Sequence, residues 1–92
     1  MKIKWTGSIY ELEELGYAIL EAKSVNNGEV DINQLMEFLC SAFDFKFEMR
    51  KFYHAYTTFR KRAEDRTIYL DKLKEKLMDK MERDDNRNLK RR

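Results

Sequence analysis

The absence of proline is the strongest constraint on how this chain folds. None occurs in the 92 residues, and there are only three glycines. These two residues punctuate the turns of all-β domains, so their scarcity favours helices joined by short turns. A hydrophobic content of 42% supports a packed core, while 39% charged residues require each helix to keep a solvated face. The length predicts a single domain, which we place at residues 1–83.

Four segments of the chain show the periodicity of amphipathic helices. The first begins at the capping-box motif Ser8 to Glu11, and the second begins at a similar signal, Asp31 to Gln34. An aromatic-rich third segment extends from Phe47 to about Arg62. The fourth begins near Thr67, and its inward face is predicted to consist of Leu70, Leu73, Leu77 and Met81. Residues 84–92 have no apolar period and are predicted to form a disordered basic tail.

A small β-ribbon is predicted beside these helices. Lys2 to Trp5 alternate polar and apolar residues, as in a short strand. The Asn26 to Gly28 turn, followed by Val30, offers the partner strand. The predicted fold is therefore mainly α, with about four helices and a small ribbon. The outer face of the first helix is predicted to be acidic, with Glu13, Glu14 and Glu21 in solvent.

The chain offers few residues for catalysis or metal binding. His54 is the only histidine and Cys40 the only cysteine, and no metal-ligand spacing or glycine-rich nucleotide loop occurs. We therefore expect no enzymatic activity, no metal and no cofactor, and we expect Cys40 to be a buried structural residue. No segment approaches the roughly 20 apolar residues of a membrane span, and no signal peptide is recognisable. A cytoplasmic protein that does not contact the membrane is the expectation.

The charge is divided unevenly along the chain. Residues 1–50 hold five Lys or Arg against nine Asp or Glu, a net −4, and residues 51–92 hold fourteen against eight, a net +6. Helical spacing predicts one basic face on the third segment, formed by Arg50, His54, Thr57 and Lys61. Further basic residues follow at the junction with the fourth segment: Arg60, Arg62 and Arg66. A basic helix preceded by a supporting helix is the arrangement with which helix-turn-helix proteins contact double-stranded DNA.

Other interpretations explain parts of the same pattern. A solvated helix surface accounts for the basic face without any ligand. Helical spacing favours the aromatic residues of the third segment as core, with Tyr53 and Tyr69 the side chains best placed to stack on bases. The alternative function is a protein–protein interaction or dimerisation domain without DNA binding, in which the acidic face of the first helix binds a basic partner or a second copy.

Four stretches carry a resemblance to a known family: IKWTGS at Ile3–Ser8, ELGYAILEA at Glu14–Ala22, NNG at Asn26–Gly28 and DRTIYLDKLKEKL at Asp65–Leu77. Together they resemble the C-terminal part of longer members of the RteC family, found on conjugative transposons of Bacteroides-type bacteria. The resemblance implies a DNA-binding transcriptional regulator that activates the excision genes of a mobile element and is linked to tetracycline-induced transfer. Arg66 and Thr67 are the positions that match the family's pattern after the basic turn.

The combined prediction is a winged-helix-like DNA-binding domain of a transcriptional regulator. The second helix supports the third, the third contacts the duplex, and the Asn26 to Gly28 turn acts as a wing. The charge pattern leaves open the alternative that the fourth helix, not the third, contacts the bases. The expected partners are double-stranded DNA and either a second copy of the chain or an N-terminal domain that precedes it in longer relatives.

Overall fold

The computed structural model describes residues 2–62 and 64–90. Its elements, in chain order, are α1 (Ile9–Glu21), a short 3-10 turn (Asn26–Gly28), α2 (Ile32–Ala42), α3 (Met49–Arg60) and α4 (Ile68–Lys90). The mainly helical class with four helices is confirmed. No strand forms within the described ranges, so the predictions of a β-ribbon and of a winged helix are wrong.

The starts of α1 and α2 follow the local sequence signals. Ser8 accepts a hydrogen bond from the Glu11 amide at 3.1 Å, and the Glu11 carboxylate accepts one from the Ser8 amide at 2.8 Å. At α2 the corresponding contact is the hydrogen bond that the Asp31 amide donates to the Gln34 side-chain oxygen at 3.1 Å. These contacts satisfy amides that have no partner inside the first turn of their helix. Both predicted helix starts are therefore confirmed.

The segment predicted as the first strand runs past the C-terminus of α2 instead. The Trp5 amide donates to the Phe43 carbonyl at 2.8 Å. Lys2 and Lys4 hold the Asp44 carboxylate at 3.2 and 3.9 Å. One backbone hydrogen bond and two exposed ion pairs tie the segment to α2, but they do not make a sheet ladder.

The predicted partner strand is replaced by the turn between α1 and α2. Asn26, Asn27 and Gly28 all have positive φ angles, of 50°, 57° and 81°. Three successive left-handed residues close a tight turn, and the amides of Gly28 and Glu29 donate to the carbonyls of Val25 and Asn26. The same residues that indicated a hairpin turn thus connect two helices, and they form no wing.

Helix α1 lies at the centre of the molecule. The principal helix pairings in the described chain are those of α1 with α2, α3 and α4. The core contains Leu12 of α1, Met36 and Cys40 of α2, and Phe52 of α3. Each of these four side chains is at most 2% exposed. Burial of Cys40 confirms its predicted structural role, and desolvation raises the pKa of its thiol to about 11.

The central position of α1 overturns the predicted acidic outer face. Glu13 and Glu14 are only 2% and 6% exposed, although Glu21 is exposed at the end of the helix. Because α1 is covered by three other helices, it has no broad solvent side in its middle turns. Of the three acidic residues on which the protein-interaction alternative depended, only Glu21 therefore remains at the surface.

Helix α4 extends beyond the core. Its first turns pack against α1, but Leu73, Leu77 and Met81, which were predicted to face inward, are 38%, 54% and 50% exposed. The helix continues as far as Lys90 through the segment predicted to be a disordered tail, and residues 91 and 92 lie outside the described part of the chain. No helix in that part is long and apolar enough to span a membrane.

Candidate nucleic-acid interface

The side of α3 that points away from the core carries the predicted basic face. Phe52 and Ala55 bury the inner side of the helix at 2% exposure each. Arg50, His54 and Lys61 are exposed, and Thr57 is partly buried. A step of 100° per residue sets positions 50, 54, 57 and 61 opposite Phe52. The structure therefore brings these four residues together on one surface, which we call the α3 basic face.

The α3 basic face is not neutralised by acidic side chains. Within the described residues, Arg50, His54 and Lys61 make no ion pair with a carboxylate, and neither does the neighbouring Arg60. The positive charge on this side of the helix is thus available to an external anion. Over the twelve residues from Arg50 to Lys61 the face extends for about 16 Å.

One acidic residue lies at the N-terminal end of α3. The Glu48 carboxylate contacts the Lys51 ammonium at 3.1 Å and the Lys46 ammonium at 3.5 Å. The hydrogen bond from Lys51, with help from Lys46, lowers the pKa of Glu48. One carboxylate is therefore shared by two lysines, so this end of the helix keeps a net positive charge.

The threonine hydroxyls of α3 are used within the helix. Thr57 and Thr58 both donate to the His54 carbonyl, at 2.9 and 2.8 Å. Such bonds to the preceding turn are common for hydroxyl residues inside helices. Because its proton is engaged, the Thr57 hydroxyl remains an acceptor on the α3 basic face, and Arg50 and Lys61 are the donors.

The other three predicted site residues lie at or near the turn between α3 and α4, and their environments differ. Arg66 Nε donates to the Arg62 carbonyl at 2.8 Å, and an Arg66 terminal nitrogen donates to the Arg60 carbonyl at 2.7 Å. An arginine that caps the last carbonyls of a helix also interacts favourably with the helix dipole. Arg66 thus holds the end of α3, while the Arg60 side chain remains exposed. Arg62 is partly buried in a depression lined by Glu11 and other residues of α1 and α4.

The start of α4 is fixed by a contact that the sequence did not predict. The Leu70 amide, in the first turn of α4, donates to the Glu14 carboxylate of α1 at 2.7 Å. A carboxylate at this position satisfies a free amide and complements the positive end of the helix dipole. Thr67 precedes the helix, as expected for a cap, but its hydroxyl contacts the Asp71 carboxylate at 3.3 Å.

The two tyrosines predicted to stack on bases differ in their exposure and in their ring contacts. Tyr53 is 66% exposed, next to the α3 basic face, and its ring lies edge-on to His54 with centroids 6.2 Å apart. Tyr69 instead packs edge-on against Trp5 at 5.9 Å. The prediction that the aromatic series forms core is confirmed for Phe52, against which Phe47 stacks at 5.5 Å. Of the two tyrosines, Tyr53 is therefore the one that remains accessible to a base.

These features define a small all-helical domain that carries a continuous basic face on the outer side of one helix. A family model described as RteC protein matches residues 1–85 of the chain. The chain therefore belongs to the RteC family, and the resemblance found in the sequence is confirmed. Membership implies a role in regulating the excision of conjugative transposons. No match was found among curated proteins or among solved structures.

Proposed function

We propose that this domain binds double-stranded DNA through the α3 basic face and supplies the DNA contact of a regulator of transposon excision. The observation that carries the proposal is the exposed, unneutralised row of Arg50, His54 and Lys61 opposite the buried side of α3. Phosphate contacts by such residues provide most of the affinity for duplex DNA. Family membership supports the same function, because regulation of excision genes requires recognition of DNA.

The dimensions of α3 suit the major groove. The groove of B-DNA is about 12 Å wide and accepts one α-helix, and the α3 basic face extends for about 16 Å along its helix. In this arrangement Arg50 and Lys61 contact base edges or the phosphates that border the groove. Arg60, in the last turn of α3, adds a contact to a flanking phosphate, and Tyr53 packs against the sugar or base edge beside Arg50.

The supporting elements differ from those of a standard helix-turn-helix motif. In that motif a turn of three or four residues joins the two helices. Here Phe43 to Glu48 connect α2 to α3, and both helices pack against α1. The proposal therefore depends on α3 and its basic face, with α1 as the element that holds α3 in place.

The test is a fluorescence anisotropy titration of a labelled random-sequence duplex at several salt concentrations. Binding should weaken steeply with salt because counterions are released from neutralised phosphates. The double variant Arg50→Ala/Lys61→Ala should reduce the slope of log K against log salt by about two units, one for each lost contact. Arg66 is left unchanged because it caps α3.

The matched control is the double variant Lys74→Ala/Lys76→Ala. These lysines are exposed on α4, and the variant removes the same net charge from a different surface. It should leave the slope within about half a unit of the original value, apart from a small general effect of net charge. Absence of duplex binding at low salt would contradict the proposal. An equal fall in slope for both double variants would show that α3 is not the site.

A further inference from the structure

A cavity of about 560 Å³ lies between α1, α2 and α3. Its volume is within the range of small-molecule sites, which are mostly apolar with a few polar groups. Ile32 and Met36 from α2 and Phe52 from α3 form apolar walls. Met49, Arg50 and Tyr53 also line it and are exposed, so they mark its mouth. The cavity therefore has the size, the lining and the access that a small organic ligand requires.

One polar group in this cavity lacks a partner. Glu13 lines the cavity, is 2% exposed, and its Oε2 atom is buried without a hydrogen bond from any described residue. A buried polar atom without a hydrogen bond opposes folding, so such atoms are rare in folded proteins. Glu14, its neighbour in sequence, is satisfied by the Leu70 amide.

We propose that the cavity binds a small organic amine, with its ammonium group on the Glu13 carboxylate and its apolar body between α2 and α3. An ammonium supplies the hydrogen bond that Oε2 lacks and compensates a buried negative charge. Oε2 is closed off from water in this structure, so the carboxyl group must turn toward the cavity as the amine binds, and the soft last torsion of a glutamate side chain allows this rotation.

The ionisation of Glu13 is linked to this binding. Burial raises the pKa of Glu13 to about 8, so the carboxyl group is mostly protonated at neutral pH. Tyr17 on the same helix and Arg50 and Tyr53 on α3 are the titratable groups that share the cavity with it, and its α2 lining residues do not titrate. An ammonium ion favours the ionised carboxylate, and its binding releases about one proton to the solvent at pH 7.

The test uses 2-phenylethylamine as the probe, with 2-phenylethanol and 3-phenylpropionate as ligands of similar shape without the ammonium group. The protein is labelled with ¹³C at the methionine methyl groups, and its NMR spectrum is followed during titration. The signals of Met36 and Met49, which line the cavity, should shift on addition of the amine. The signals of Met78 and Met81, exposed on α4, should not. Affinity for the amine should exceed that for either analogue by tenfold or more.

The variant Glu13→Gln keeps the shape of the side chain and removes its charge. It should reduce affinity for the amine by tenfold or more, while the methyl spectrum of the free protein shows that the fold is retained. If this variant does not fold, the titrations of the wild-type protein with the amine and its two analogues still test the proposal. No shift at Met36 and Met49 at millimolar amine would overturn the proposal, as would equal binding of 2-phenylethanol. No DNA is present, so the outcome is separate from that of the DNA-binding test.

Discussion

Glu13 and Glu14 are adjacent in sequence and both are buried, yet their environments differ at the level of single atoms. The Glu14 carboxylate accepts a hydrogen bond from the Leu70 amide and joins α1 to the first turn of α4. Glu13 has an oxygen without any partner among the described residues, and burial raises its pKa to about 8. One residue therefore stabilises the packing of two helices, while the other opposes folding whenever it is ionised.

The Glu13 environment predicts a loss of stability as the pH rises. Its pKa is about 8 in the folded protein and near 4.5 in the unfolded chain, so the folded state binds more protons between these values. The free energy of unfolding should therefore fall, by at most about 1.4 kcal/mol per pH unit, from pH 5 to pH 8. Urea unfolding followed by circular dichroism across this range measures the effect.

The variant Glu13→Gln isolates this contribution, because glutamine does not titrate. Its unfolding free energy should vary less over the same range than that of the wild-type protein. Between pH 5 and pH 8, the unfolding free energy of the variant minus that of the wild-type protein should increase by several kcal/mol. Parallel curves for the two proteins would contradict the assignment of a raised pKa to Glu13.

At the scale of helices, the starts of α1 and α2 could be predicted from the sequence, and so could the approximate end of α3, expected at about Arg62 and observed at Arg60, but the end of α1 could not. Capping boxes are local, so Ser8 with Glu11 and Asp31 with Gln34 identify the starts of α1 and α2. Both helices end with a left-handed residue, the usual position of a glycine, but here these are Lys23 and Asp44, with φ of 59° and 52°. Lysine gives no signal of such an end, whereas aspartate is one of the few residues that tolerate the left-handed conformation.

Features that depend on contacts between distant elements could not be predicted from the sequence either. Whether Lys2 to Trp5 forms a strand depends on a partner, and the expected partner is a turn between helices. Whether Glu13 is exposed depends on how α2 and α3 cover α1. The α3 basic face could be predicted because it lies within one helix and needs only the 3.6-residue spacing. Neither the cavity beside Glu13 nor the capping role of Arg66 has a local signal.

The contact between α1 and α2 depends on a glycine in mid-helix. Gly16 is buried, and a Cβ atom there would overlap the Sδ atom of Met36. Gly16→Ala should destabilise the protein by up to about 2 kcal/mol, since overpacking costs about 1–3 kcal/mol and the gain in helix propensity is about 1. Thermal and urea unfolding of the purified variant measure the net effect.

A double-mutant cycle with Met36→Ala tests the cause. Without the methionine side chain the new methyl group has space, so Gly16→Ala should become neutral or stabilising by up to about 1 kcal/mol in that background. If Gly16→Ala destabilises the wild-type and the Met36→Ala proteins equally, overlap with the Met36 side chain is not the cause.

For the whole molecule, α1 is the element on which the others depend. The three principal helix pairings in the described chain all include it, and Leu12 at 0% exposure lies in the core cluster with residues of α2 and α3. A domain of this size has a total stability of only about 5–15 kcal/mol. The α3 basic face and the Glu13 cavity are both positioned by α1, so their geometry should be lost together when its packing is weakened.

Leu12→Ala and Leu77→Ala make the same chemical change at opposite extremes of burial. Leu12 is completely buried, and its truncation should cost about 2–5 kcal/mol through lost burial and a cavity in the core. Leu77 is 54% exposed on α4, and its truncation should change stability by no more than about 0.5 kcal/mol. Urea unfolding gives both values.

Hydrogen exchange of the same two variants shows whether the loss is shared. Amides of α2, α3 and the first turns of α4 should all lose protection in Leu12→Ala, because each of these helices is held by α1. In Leu77→Ala their protection should remain that of the wild-type protein. Retained protection of α2 or α3 in Leu12→Ala would mean that this helix is stabilised independently of α1, and the α3 basic face would then not depend on the central helix for its position.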